Sequence, residues 1–261
     1  MICPTGCKDK GVMTAGVWSV DCGAAATIGS AFSSLDDVFA MQGEVVTSSP
    51  ISHLVKVKVA GKCYYVKKYQ GAGKHLRRYV GRSRVRAEWE NLRVFQAIGI
   101  PTPQVVAYGE EVGYNVSRRG ALVTEELVGT VDLHSLAIMG SELLNDHHWI
   151  DGVFDQLSRY VRTMHQHGFI HNDLKWRNIL VTRLGEPEVY FIDCPQGRRS
   201  FGPMLSRGIV KDLACLDKVA KHQLSRVDRL SFFLKYRNHS HIGSGDRNLI
   251  KKILSFFEGR D

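Results

Sequence analysis

The chain has 261 residues, 44% hydrophobic and 23% charged, which suits one large domain or two small lobes around a substantial core. No apolar run is long enough to span a bilayer, and no basic n-region ahead of an apolar h-region marks a signal peptide. The formal net charge of +9 implies an anionic partner.

The basic run Lys74-His75-Leu76-Arg77-Arg78, continuing to Arg82, Arg84 and Arg86, has no interleaved aromatics, so a nucleic-acid module is not expected. The six cysteines (Cys3, Cys7, Cys22, Cys63, Cys194, Cys215) are irregularly spaced and read as reduced thiols, neither disulfide frame nor metal site. Residues 1–12 read as an upstream extension, with Met13 as an alternative start.

In chain order, Val55, Val57 and Val59 alternate with Lys56 and Lys58, the period of a half-buried strand. After the turn Ala60-Gly61-Lys62, Cys63–Tyr69 reads as its partner and as the third strand. Val85, Trp89, Leu92 and Phe95 recur at helical spacing until Gly99 and Pro101 end the helix. Strands are expected at Val105–Tyr108 and Ala121–Leu127. Val153 to Met164 carries a helical stripe closed by Gly168, followed by short strands Ile179–Thr182 and Glu188–Ile192. Helices are expected over Ile209–Val219, Leu230–Tyr236 and Leu249–Phe257. A strand-rich half thus precedes a helix-rich half, with the joint near Glu126.

The chemistry concentrates in His171-Asn172-Asp173-Leu174-Lys175-Trp176-Arg177-Asn178. His-x-Asp-Leu-Lys-x-x-Asn matches a protein-kinase catalytic loop. Phosphoryl transfer needs a carboxylate to orient the attacking hydroxyl, a cation for the transferred group, and oxygen ligands for magnesium. Asp173, Lys175, Asn178 and Asp193 fit these roles in turn. A hairpin turning near Gly185 brings Asn178 and Asp193 to the same end, where both oxygens suit Mg2+. Lys67 is the candidate phosphate-binding lysine, and Glu88, inside the apolar stripe, its candidate partner. The backbones of Glu125 and Leu127 are assigned to the adenine edge of ATP. Asp212 either braces the catalytic loop by accepting its backbone N–H groups or caps a helix N-terminus.

With these residues assembled, the chain resembles the lipopolysaccharide kinase (Kdo/WaaP) family of the protein-kinase-like superfamily from about Leu35 to Tyr236. Met41-Gln42-Gly43-Glu44, Tyr65-Val66-Lys67-Lys68-Tyr69, Ala87-Glu88-Trp89, Ala107-Tyr108-Gly109, Thr124-Glu125-Glu126-Leu127 and Lys211-Asp212-Leu213-Ala214 carry the likeness. The resemblance implies an α+β bilobal protein-kinase-like fold: a strand-rich N-lobe (35–126) with one central helix and a mainly helical C-lobe (127–261), after an extension (1–34). It also implies ATP- and Mg2+-dependent phosphorylation of a heptose or Kdo hydroxyl in the lipopolysaccharide inner core. The expected place of work is cytoplasmic, peripheral on the acidic surface of the inner membrane. A kinase for another acceptor, protein or small molecule, and a non-catalytic pseudokinase are the alternatives. The chain departs from ordinary protein kinases in three places. Thr47-Ser48-Ser49-Pro50 stands where a Gly-x-Gly-x-x-Gly loop is usual, Cys194-Pro195 follows the metal-binding Asp193, and Tyr65 replaces a small residue over adenine.

Overall fold

The computed structural model describes residues 14–21, 31–71, 82–113 and 116–259. Residues 1–12, Cys3, Cys7, Cys22 and the Lys74–Arg78 part of the basic run lie outside them. The elements in order are β1 (Thr14–Val20), α1 (Leu35–Ala40), β2 (Glu44–Ser48), β3 (Ser52–Val59), β4 (Lys62–Gln70), α2 (Arg84–Ala97), β5 (Val105–Gly113), β6 (Val116–Glu125), β7 (Thr130–Asp132) and α3 (Leu133–Ile138). There follow α4 (His147–Gln166), β8 (Phe169–Ile170), β9 (Ile179–Thr182), β10 (Val189–Phe191), β11 (Arg198–Arg199), α5 (Gly202–Gln223), α6 (Arg226–Arg237) and α7 (Ser244–Leu254). The chain divides into two compact units, one of residues 1–86 and 105–125, the other of residues 87–104 and 126–261.

The first unit is a six-stranded sheet of order β1-β5-β6-β4-β3-β2. Along β4, Tyr64 and Val66 point to one face and pack with Phe32, Leu35, Val38, Val55 and Val57, as the two-residue strand period requires. Lys68 follows them onto that face and is buried. Its ammonium donates to the carbonyls of Phe39 at 3.1 Å and Met41 at 2.6 Å, so it closes the end of α1, and burial lowers its pKa. Lys67 emerges on the opposite face, half-buried, with its ammonium 5.5 Å from the Tyr69 ring centre.

Two expectations need correction here. The strand carrying Tyr65 and Lys67 is the fourth, not the third. Part of the expected extension 1–34 is β1, which pairs antiparallel with β5. Trp18 lies opposite Gly109 in that pairing. A Cβ on Gly109 would fall 2.3 Å from the Val17 carbonyl oxygen and 2.5 Å from the Trp18 ring, so only glycine lets β1 close on β5.

The second unit is helical around two short sheets, β10-β9-β7 and β11-β8. Val153, Leu157, Val161 and Met164 of α4 are buried at helical spacing. Phe95 lies edge-on to Phe169 and Phe191, at 5.4 and 5.8 Å between ring centres. At the carboxyl end, Asp246 of α7 binds Arg237 Nε at 2.7 Å, His239 Nδ1 at 2.9 Å and the Gly243 amide at 3.0 Å. That clasp fixes the turn between α6 and α7. The helix expected over Ile209–Val219 is longer, Gly202–Gln223, because Pro203 in its first turn already satisfies helical geometry.

Candidate active site

The site is built on the loop between β8 and β9. Asp212 lies in mid-helix in α5, fully buried, which rejects the N-cap reading. Its carboxylate accepts the backbone N–H of His171 at 2.7 Å and of Asn172 at 2.8 Å. Two charge-assisted bonds compensate for burying a carboxylate and hold Asn172 at φ 65, in the left-handed region asparagine tolerates. The Asn172 side chain also donates to the Gln196 carbonyl at 3.1 Å.

Behind Asp212, His165 Nε2 stands 3.4 Å from its Oδ2, and His165 Nδ1 meets the Tyr236 hydroxyl at 3.0 Å. Burial pushes the Tyr236 phenol up to about 12, so the hydroxyl stays protonated and can donate.

Beyond this brace the chain turns outward. Lys175 Nζ lies 2.6 Å from Asp173 Oδ1, and Arg177 Nη2 lies 3.7 Å from Oδ2. Asp173 is mostly sheltered while the two cations are more exposed. Trp176 anchors the exit of the loop, with its indole buried and donating to the Leu216 carbonyl at 2.9 Å. Asn178 is buried, and its Nδ2 donates to the Asp173 carbonyl at 2.8 Å. That bond leaves Oδ1 as the atom available to a metal.

The hairpin expectation is met. Phe191 pairs with Ile179, and the Ile192 amide donates to the Asn178 carbonyl at 3.0 Å, so Asn178 and Asp193 leave the hairpin at one end. Asp193 has φ 53. A carboxylate and an amide oxygen are hard donors of the kind Mg2+ takes.

The other expected residues are placed as follows. Lys67 is in the first unit. Glu88, on α2, is in the second and buried, as the helical stripe implied. Glu125 ends β6, and Lys62 Nζ sits 2.6 Å from its Oε1. The strand expected to run on to Leu127 stops at Glu125. Leu127 begins a turn, its carbonyl accepting the Thr130 hydroxyl at 2.7 Å and the Thr130 amide at 3.3 Å.

Four residues to which the sequence assigned no role of their own matter here. Asn91, buried on α2, donates to the carbonyls of Cys194 at 2.6 Å and Gly197 at 2.9 Å, fixing the segment after Asp193. It lies one turn beyond Glu88 on the same stripe, which was the available signal. The His165–Tyr236 pair left no local signal. His171, read only as part of the motif, is fully buried beside Phe95 and Phe191. Neither of its ring nitrogens has a partner among the described residues. Burial lowers its pKa against the opposing charges of Asp212, Asp193 and Asp173, so the ring is neutral and packs as an aromatic. Burial likewise pushes the Cys194 thiol well above its ordinary value.

The sequence pattern of the lipopolysaccharide kinase (Kdo/WaaP) family matches residues 36–236. The chain belongs to that family. Among curated Kdo/WaaP relatives, the lipopolysaccharide core heptose(I) kinase WaaP of Pseudomonas aeruginosa is 29% identical over 142 residues, 52% of this chain and 53% of that protein. The 3-deoxy-D-manno-octulosonic acid kinase of Xylella fastidiosa is 29% identical over 104 residues, 40% of this chain and 36% of that protein. The Escherichia coli heptose(I) kinase WaaP is 24% identical over 144 residues, 53% of this chain and 54% of that protein. The chain thus spans about half the length or less of the curated relatives it matches. A solved structure of WaaP in complex with acyl carrier protein superposes with a TM-score of 0.70 at 23% identity, covering 93% of this chain and 96% of that one. The fold is accordingly protein-kinase-like, strand-rich in one unit and helical in the other.

Proposed function

We propose that this Kdo/WaaP family member transfers the γ-phosphoryl group of ATP to a hydroxyl of an inner-core lipopolysaccharide sugar, heptose or Kdo. The observation that carries the reading is the Asp173–Lys175 pair on a loop clamped by Asp212, with Asn178 and Asp193 together at the adjoining hairpin end. Asp173 orients the sugar hydroxyl and takes its proton as that oxygen bonds to the γ-phosphorus and the bond to the ADP oxygen breaks. Lys175 swings from Asp173 toward the transferred phosphoryl and offsets its charge. Magnesium, held by Asn178 and Asp193, would supply charge neutralisation at the phosphates. Lys67 is assigned to the ATP phosphates with Glu88 as its orienting carboxylate, and the Glu125–Leu127 backbone to adenine. Since the Leu127 carbonyl is engaged by Thr130, its N–H is the group left for that contact.

The proposed acceptor is a membrane-borne glycolipid, and the place of work proposed with it is the cytoplasmic face of the inner membrane. Among the described residues no helix is long and apolar enough to cross a membrane, and peripheral association is proposed. Because the WaaP neighbour was solved with acyl carrier protein, the same association is a proposal for this chain, checked by co-purification.

The deciding experiment follows labelled phosphate from ATP and magnesium to dephosphorylated lipopolysaccharide core, with wild type and Asp173→Ala. Transfer by wild type alone is expected. Transfer to a peptide or small molecule, with none to core, would replace the acceptor. Failure to bind nucleotide at all would favour a pseudokinase.

A further inference from the structure

The stretch from Cys194 to Lys211 contains no acidic residue, while Arg198, Arg199, Arg207 and Lys211 are cationic. Arg198 and Arg199 are both exposed on β11, and Arg207 is exposed on α5. Between them, Phe201 is 86% exposed and Met204 60% exposed.

The backbone that carries these residues is tied down on both sides. Arg198 pairs with Ile170 and Arg199 with Phe169. The Ser200 amide donates to the Gly168 carbonyl at 2.7 Å, and Asn91 grips Gly197 from α2. Below, α5 is pressed onto β8: a Cβ on Gly208 would fall 2.6 Å from the Ile170 side chain. Between these two ties Phe201, at the N-cap of α5, stands exposed to solvent. Met204 and Arg207 follow at one-turn spacing. Because β11 pairs with β8, and β8 leads directly into His171-Asn172-Asp173, this surface borders the segment that carries the proposed catalytic residue.

We propose that Arg198, Arg199, Phe201, Met204 and Arg207 form a docking surface for an anionic phospholipid bilayer. The arginines meet headgroup phosphates, and Phe201 and Met204 enter the headgroup–acyl boundary. Charge complementarity selects this occupant: uninterrupted cations around separate, projecting apolar side chains match an interface that is anionic outside and apolar within. Lipid binding stands independently; only its catalytic consequence rests on the glycolipid acceptor proposed above.

The test uses the full chain and extruded vesicles of phosphatidylethanolamine with phosphatidylglycerol, against vesicles of phosphatidylcholine alone. Wild type is expected to co-sediment with the anionic vesicles and to be released by salt. R198Q/R199Q should lower partitioning about tenfold or more, and F201S severalfold at unchanged charge, with melting temperatures kept near wild type. In a second arm, the variants should phosphorylate water-soluble deacylated core like wild type but lose activity on core embedded in vesicles. Wild-type partitioning by both variants, or equal binding to neutral vesicles, would overturn the proposal. So would binding to an acidic protein probe that the substitutions abolish while vesicle binding persists, which would assign the surface to a protein. If wild type phosphorylates neither form of core, the functional reading fails while sedimentation still decides the surface.

Discussion

Asp212 and His171 are joined by a 2.7 Å bond from a backbone amide to a carboxylate with no solvent exposure. Such bonds contribute about 1.5–3 kcal/mol each, and stranding a buried donor adds to the loss. Asp212 makes two of them. Asp212→Ala is therefore expected to destabilise the protein by about 3 kcal/mol or more and to abolish transfer, since Asp173 follows directly on the clamped residues. Urea unfolding followed by tryptophan fluorescence measures the first effect. A midpoint equal to wild type would mean that the loop holds its shape without the clamp.

Asp173→Asn preserves shape and removes the proton acceptor. Turnover should fall by about 10²–10⁴-fold, while the affinity for ATP stays within a few-fold of wild type, because Asp173 is assigned to the acceptor and not to the nucleotide. Single-turnover transfer and nucleotide titration separate the two quantities. Equal losses in binding and rate would place Asp173 at the phosphates instead.

Much of this site was legible because it is local. Residues 171–178 carry their spacing in one stretch, and the register of Ile179 with Phe191 follows from a short hairpin with Gly185 at its turn. The inward position of Glu88 followed from helical period. What could not be read depends on distant partners. β1 is written in Thr14-Ala15-Gly16-Val17-Trp18-Ser19-Val20, where Ala15, Gly16 and Ser19 interrupt the strand formers Thr14, Val17, Trp18 and Val20. It becomes a strand because Gly109, far along the chain, leaves room for Trp18. Tyr236 and His165 likewise meet only after α4 and α6 pack. Lys67 and Lys68 are adjacent and chemically equal, and only the sheet's facing shows that Lys68 is spent on closing α1.

Asp193→Asn should weaken the magnesium dependence of transfer. Asparagine tolerates the left-handed backbone found at φ 53, so the fold should survive. The magnesium concentration giving half-maximal rate should rise at least tenfold, since even changes outside the ligand sphere cost about 10–100-fold in metal affinity. Titration with magnesium at saturating ATP measures this, and an unchanged midpoint would remove Asp193 from the metal site.

His171 makes stability depend on pH in a direction that can be worked out. Its folded pKa is lowered by burial, whereas in the unfolded chain it is near the ordinary value of about 6.5. As pH falls through that value, the unfolded state takes up a proton that the folded state refuses. This contribution is therefore full above about pH 6.5 and declines below it, by up to about 1.4 kcal/mol per pH unit, until the folded pKa is reached. His171→Phe keeps an aromatic ring against Phe95 and Phe191 and removes two nitrogens that have no partner among the described residues, the burial of such a group costing about 1–3 kcal/mol. The variant's unfolding free energy should fall less steeply than wild type between pH 7.5 and 5.5, whatever its absolute stability. The two proteins differ only at this residue, so the difference in slope isolates His171. Parallel slopes would mean that His171 carries its proton in the folded state or reaches solvent before unfolding.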